Sequence, residues 1–116
     1  MDSKVAQKAF AFALRIMKLD RYLLNNRCDR SICRQVLRSG TSIGANVEEA
    51  LAAQSRKDFI AKLSIAKKEC NETKYWLRLL RESGYLEDTH FNSIYPEAEE
   101  IYKMLTSIIL TTQKNS

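Results

Sequence analysis

The chain has 116 residues, of which 45% are hydrophobic and 28% charged, proportions typical of a folded globular protein. Only three glycines and one proline are available for turns, which argues against a β-rich fold and favours long helices. The net charge is +5, with basic residues in excess in 1–27 and 57–84 and acidic residues in excess in 85–116. Two interpretations follow: basic and acidic helices attract each other within or between subunits, or a basic face meets nucleic acid.

The first predicted helix spans about residues 3–25. Apolar side chains recur at spacings of three and four residues from Val5 to Leu23, and a neighbouring apolar stripe passes through Phe10 and Met17. The combined apolar face is wide enough to contact more than one neighbouring helix.

The second predicted helix spans about residues 29–54, with Asp29 as its N-cap. Residues 39–46 are rich in Ser, Gly and Thr, which disfavour a helix by propensity. The apolar period nevertheless continues across this segment from Val36 to Val47, and a loop has no reason to preserve it. We therefore predict one continuous helix, stabilised by close packing against a neighbour.

The third predicted helix spans about residues 56–83. It follows a sequence, Ser55 to Asp58, that resembles a capping box, and it ends before Gly84, a natural C′ residue. Its apolar residues form a heptad-like seam that ends at Leu80.

The fourth predicted helix spans about residues 88–112 and contains Pro96, which should either kink the helix or mark its start. Because the connections between the four helices are short, consecutive helices should run antiparallel. We predict an all-α fold, in which residues 1–116 form one antiparallel up-down-up-down four-helix-bundle domain.

No catalytic constellation is found, and we predict neither an enzyme nor a cofactor. The one histidine, His90, is expected at the surface. The cysteines Cys28, Cys33 and Cys70 are odd in number and lack CxxC spacing, which argues against a disulfide framework or a zinc site. They are expected to be reduced core residues. Since no secretory signal or membrane-spanning apolar run is found either, the sequence favours the cytoplasm.

Carboxylates on the second and third helices raise the question of a di-metal site. Such a site in a bundle normally uses Glu-x-x-His repeats, and the sequence has none. We predict no metal site, and we expect Glu69 and Glu72 to pair with Arg34, Arg38 or lysines instead.

Two stripes of basic residues are candidate phosphate contacts. They comprise Lys4, Lys8, Arg15 and Lys18 on the first helix, and Lys67, Lys74, Arg78 and Arg81 on the third. The alternative is that both stripes are ordinary solvated faces.

Two segments, Gln35–Ala50 and Phe59–Leu77, are distinctive, the first because its run of small residues is followed by Asn46 and Glu48. They resemble the bacterial four helix bundle proteins, also called 23S rRNA intervening-sequence proteins. The resemblance implies an antiparallel bundle without enzymatic activity that assembles into a ring-like homopentamer. On the family's motif it places Arg38, Ser39, Ser42, Asn46, Glu49, Glu69 and Glu72, as candidate interface or network residues.

The family is also similar to accessory proteins of diversity-generating retroelements, which bind nucleic acid and a reverse transcriptase. Two hypotheses follow. The first is a non-enzymatic oligomer that binds RNA or DNA through the basic faces of the first and third helices. The second is a protein-interaction scaffold or accessory subunit without nucleic-acid contact, whose acidic fourth helix pairs with a basic partner.

Overall fold

The fold is entirely helical over residues 3–115, which are the residues described in this computed structural model. No strand occurs in this range, so the all-α prediction is confirmed. The helices in it are α1 (Lys4–Asn25), α2 (Arg30–Leu51), α3 (Arg56–Glu82) and α4 (Asp88–Lys114).

Three predicted helix ends are confirmed by their caps. The carboxylate of Asp29 accepts hydrogen bonds from the hydroxyl and, secondarily, from the backbone N–H of Ser31, and both lower the pKa of Asp29. The hydroxyl of Ser55 accepts from the N–H of Asp58 at 3.0 Å. Gly84 has a φ of +88°, the left-handed conformation that closes α3.

Helix α2 ends at Leu51 rather than near residue 54 as predicted. The physical reason lies in the next helix, because Ser55 must be extended, with φ −150° and ψ 161°, to cap α3. Residues 52–55 are therefore needed to reverse the chain.

Helix α2 is continuous through residues 39–46, as predicted. Its small residues face neighbouring helices: Ser39 and Gly40 are buried, and Gly40 lies directly against Ile16 of α1. Close packing against a neighbour therefore outweighs the low helix propensity of this segment.

Helix α4 is continuous through Pro96, so the proline does not mark its start. Pro96 is exposed, where the carbonyl that loses its N–H partner can be solvated.

Contacts between helices give the chain direction, because residue numbers rise along one helix as they fall along its neighbour. The pairs are Ile16–Gly40 and Ala9–Gly44 for α1 and α2, Ser39–Thr73 and Glu49–Lys62 for α2 and α3, Lys67–Tyr102 and Arg81–Phe91 for α3 and α4, and Lys8–Glu100 and Arg15–Glu97 for α1 and α4. Consecutive helices are therefore antiparallel, and α4 packs beside α1 to close the bundle.

The buried apolar side chains of all four helices form a continuous core, with Phe12, Ile16 and Leu77 among its fully buried members. Large apolar side chains also lie outside it, notably Phe10, which is 65% exposed, and Leu14, which is 49% exposed. None of the helices within residues 3–115 has the length and apolar character needed to cross a membrane.

Candidate functional site

Helix α3 carries several of the candidate polar residues. Its heptad repeat places some of its side chains in the core, some against α2 and some against α4. Its core positions are Leu63, Ala66, Cys70, Thr73, Leu77 and Leu80. The flank toward α2 carries Glu69 and Trp76, whereas the flank toward α4 carries Lys67, Lys74 and Arg81.

On the α2 flank, Arg38 joins two of the glutamates on the family motif. Its Nη1 lies 2.8 Å from Oε2 of Glu69, and its Nη2 donates to Glu72. Trp76 donates from Nε1 to the same carboxylate of Glu72 at 3.2 Å. The predicted pairing of these glutamates with Arg38 is confirmed. The cluster links α2 to α3 near the surface, and its guanidinium neutralises one of the two carboxylates.

Beneath this cluster, Ser39 and Thr73 are fully buried polar residues in an apolar core. Their hydroxyl oxygens are 3.0 Å apart, and the Thr73 hydroxyl also lies 2.8 Å from the carbonyl oxygen of Glu69. Within the described chain, the Ser39 hydroxyl has one other hydrogen bond, a long one of 3.4 Å to the carbonyl oxygen of Val36. The pair is therefore a polar link between α2 and α3 whose strength depends on both members.

Replacing Thr73 with valine should lower the free energy of unfolding by about 2 kcal/mol, because it leaves the Ser39 hydroxyl buried without a good partner. The double variant Ser39→Ala/Thr73→Val should recover most of this loss, since no buried hydroxyl then remains. Urea denaturation at one fixed protein concentration measures both. Costs that simply add in the double variant would contradict the proposed coupling.

The remaining motif residues act mostly within α2. The Ser42 hydroxyl donates to the carbonyl of Arg38 at 2.6 Å, and the Asn46 amide donates to the carbonyl of Ser42 at 2.8 Å. Glu49 is exposed and lies 4.0 Å from Nζ of Lys62, so it forms only a weak pair with α3.

On the α4 flank, cations of α3 lie over aromatic rings of α4. Nζ of Lys67 is 5.2 Å and Nζ of Lys74 is 4.8 Å from the ring centroid of Tyr102, and Lys74 is also 5.9 Å from that of Tyr95. These distances allow cation–π attraction. The tyrosines were not singled out as site residues from the sequence, although their seven-residue spacing matches that of the lysines.

An open groove of about 640 Å³ lies on the outer surface of α3, beside α4. We call it the α3 groove. Its lining combines cations, an amide, a carboxylate and two aromatic rings, from Lys68, Asn71, Glu72, Lys74, Tyr75, Arg78 and Tyr95.

Arg81, the last member of the predicted α3 stripe, has a different environment. Its guanidinium carbon lies 4.4 Å from the ring centroid of Phe91, and its nitrogens lie near the carboxylates of Glu82 and Asp88. Arg81 therefore packs the end of α3 against the start of α4.

The basic stripe of α1 lies apart from that of α3, because α1 packs on α2 and α4 and not on α3 within the described chain. Nζ of Lys8 is 2.8 Å from Glu100, while Arg15 pairs with Glu97 and donates to Ser93. The basic helix α1 therefore attracts the acidic helix α4 within the subunit. This agrees with one of the two interpretations of the uneven charge. Lys4 and Lys18 are exposed.

The side chains with catalytic potential are those of the three cysteines and the one histidine. Cys33 and Cys70 are buried, and burial is the main cause that raises the pKa of each thiol to about 12, so both are protonated at neutral pH. The remaining cysteine, Cys28, is buried and free. His90 is exposed and meets the Tyr22 ring edge-on at 5.2 Å. Among residues 3–115, no three His, Cys, Asp or Glu side chains group in a way that could hold a metal ion.

The chain is similar to known proteins in both sequence and structure. A crystal structure of a protein of unknown function from the S23 ribosomal protein family of Bacteroides thetaiotaomicron VPI-5482 superposes with a TM-score of 0.88 at 50% identity, covering 90% of this chain and 97% of that one. No curated protein matches the chain. The sequence profile of the 23S rRNA-intervening sequence proteins matches residues 1–107. The chain therefore belongs to the 23S rRNA-intervening sequence protein family.

Proposed function

We propose that this protein is a non-enzymatic, oligomeric helical bundle that binds RNA or DNA through the outer surface of α3. The observation that carries the proposal is the charge balance of that surface. Within residues 3–115, no carboxylate lies within ion-pair distance of Lys67, Lys68, Lys74 or Arg78. Cations whose charge is not neutralised by a carboxylate can replace the counterions of a phosphate backbone.

Glu72 is the one carboxylate among the described residues that line the groove, and it offsets only one of the three cations there, Lys68, Lys74 and Arg78. Its carboxylate accepts from Arg38 and from the indole of Trp76. The basic stripe of α1 supports binding less well, because Lys8 and Arg15 already have partners on α4. We therefore assign the nucleic-acid contact to α3 and treat the α1–α4 pairs as structural.

The alternative hypothesis, a scaffold whose acidic fourth helix recruits a basic partner, is less well supported. Glu97 and Glu100 on α4 are engaged by cations of α1. A basic partner would have to displace these internal pairs before it could bind the same carboxylates.

The test is a titration of a fluorescently labelled rRNA fragment at several salt concentrations, using wild type and the variant Lys74→Gln/Arg78→Gln. Wild type should bind with an affinity that falls steeply with salt, because counterions are released. The variant should bind about tenfold more weakly at about 100 mM salt, with a shallower salt slope.

The matched control is Lys4→Gln/Lys18→Gln, which removes the same charge from exposed positions of α1. It should bind nearly as well as wild type. Equal losses in the two double variants would assign binding to net charge rather than to α3, and no binding by wild type at low salt would reject the proposal.

We further propose that the chain assembles through an apolar surface between α1 and α2. Phe10, Leu14 and Met17 are each about half exposed or more, and they border a groove of about 390 Å³. Its lining is otherwise Ala6, Ala13, Thr41, Gly44, Ala45 and Glu48, so only one lining residue is charged. We call this surface the α1/α2 apolar face. An exposed apolar surface of this kind is expected to pack against another apolar surface rather than remain in water.

A second copy of this chain offers such a surface on α3, where Ile65 is 41% and Leu79 is 37% exposed beside Trp76. These residues are on α3, whereas every lining residue of the α1/α2 apolar face is on α1 or α2. A contact between two different faces is heterologous, and repeated contacts of this kind close into a ring when the rotation permits. We propose a pentamer, because the family resemblance implies five subunits. Such a ring would carry five α3 grooves, and binding at several of them would increase the overall affinity. Three free, buried cysteines support a cytoplasmic location.

A further inference from the structure

We propose that the α3 groove takes single-stranded nucleic acid, with a base stacked on the ring of Tyr75 and phosphates bound by the cations on either side. This inference rests on the proposed function and adds the form of the ligand. It starts from the composition of the groove, in which α3 places the ring of Tyr75 among three cations and α4 adds the ring of Tyr95. Basic surfaces that hold only duplex backbones need the cations and not the rings.

Tyr75 is the ring with a free surface. It is 48% exposed and contacts the ring of Trp76. The two ring centroids are 5.0 Å apart, and the ring planes meet at 70°. The edge-to-face arrangement leaves much of the Tyr75 ring open to solvent. By contrast, Lys74 lies over the ring of Tyr95, and the latter also stacks on Phe91 with a centroid distance of 4.6 Å.

The order of residues along α3 matches a strand that follows the helix. Lys68 precedes Tyr75 by seven residues, which is about 10 Å along the helix axis, and Arg78 follows it by three residues, which is about 4.5 Å. A strand lying in the groove would thus meet a cation, an aromatic ring and a second cation in turn. Asn71, between Lys68 and Tyr75, adds an amide that can donate to a base or phosphate oxygen.

A duplex is the less suitable ligand. Its bases are stacked inside, so an aromatic side chain on a helix surface gains nothing from them, whereas every base of a single strand has a face available for stacking. The groove is also open to solvent, so a strand can reach its lining residues. The exposed tyrosine therefore distinguishes the two ligands.

The experiment uses the intact protein and labelled oligonucleotides of about 15 nucleotides, within the range of single-strand site sizes. Single-stranded RNA, single-stranded DNA of the same sequence, and the duplex of each are titrated. Wild type should bind at least one single strand more tightly than its duplex. Tyr75→Ala should weaken single-strand binding about tenfold, with little change in the salt slope or in duplex affinity.

Tyr75→Phe is the matched control, because it keeps the ring and removes only the hydroxyl. It should bind single strands like wild type. The intrinsic fluorescence of Trp76, the one tryptophan of the chain, gives an independent readout beside Tyr75. Single strands should change its emission in wild type and Tyr75→Phe, and change it less in Tyr75→Ala.

The outcomes separate the two proposals. Equal or tighter binding of duplexes, together with an unchanged affinity of Tyr75→Ala, would overturn the single-strand inference and leave nucleic-acid binding by α3 intact. Failure of wild type to bind any of the oligonucleotides at low salt would instead reject the proposed function itself. Circular dichroism of each variant verifies that the helices are retained.

Discussion

Replacing Gly40 with valine is expected to lower the free energy of unfolding by about 3 kcal/mol, because α1 leaves no space for a side chain there. A Cβ at position 40 would lie 2.7 Å from Cγ1 and 2.9 Å from Cγ2 of Ile16. Ile16 is fully buried and β-branched, so these atoms cannot move aside as the end of a flexible chain could. Urea denaturation at one fixed protein concentration measures the effect.

Gly44 provides the matched control on the same helix. A Cβ there would meet the nearest atoms of Ala9 at 3.5 Å, an ordinary contact distance. Gly44→Ala should therefore gain up to about 1 kcal/mol from helix propensity. The double variant Ile16→Ala/Gly40→Val should cost less than the sum of its single changes, since truncation of Ile16 makes room. An additive double variant would contradict direct crowding between these residues.

Leu14→Asp is expected to convert the proposed oligomer to monomers. The substitution places a charge in the centre of the α1/α2 apolar face, near Glu48, where association would have to desolvate it. Light scattering coupled to size-exclusion chromatography should give about five times the 13.4 kDa chain mass for wild type and the chain mass for the variant.

Leu110→Asp is the matched control for this prediction. Leu110 is 52% exposed, close to the 49% of Leu14, but it lies on α4 away from the α1/α2 apolar face. The control should keep the mass of the wild type. A monomeric wild type would refute the assembly, and dissociation of both variants would refute the assignment of the interface to this face.

The surface of α3 that we propose for binding shows how much can be predicted from sequence periodicity. The lysines of α3 at positions 67 and 74 and the tyrosines of α4 at positions 95 and 102 each repeat every seven residues, which the sequence displays. Their meeting depends on the register between α3 and α4, which is set by how the two helices pack. No local rule links residues on different helices, so the tyrosines were not recognised as part of a site.

The charged residues of α1 likewise have a pattern that the sequence shows and partners that it does not show. Lys8 and Arg15 had the spacing of a phosphate-binding stripe, and only the position of α4 reveals Glu100 and Glu97 beside them. A stripe of cations has the same sequence pattern whether it faces solvent, a ligand or a neighbouring acidic helix. The pairing of Lys8 and Arg15 with α4 therefore becomes visible only in the tertiary structure.

The helices of this protein can be predicted from its sequence, because apolar periodicity, caps such as Asp29 and Ser55, and the C′ residue Gly84 are local signals. Even the continuity of α2 through its run of small residues could be predicted, since the apolar phase persisted. The surroundings of each polar group become visible in the packed helices, as in the Ser39–Thr73 link, the Arg38 cluster and the exposed ring of Tyr75. These depend on the distances between helices far apart in sequence, which local propensity does not encode.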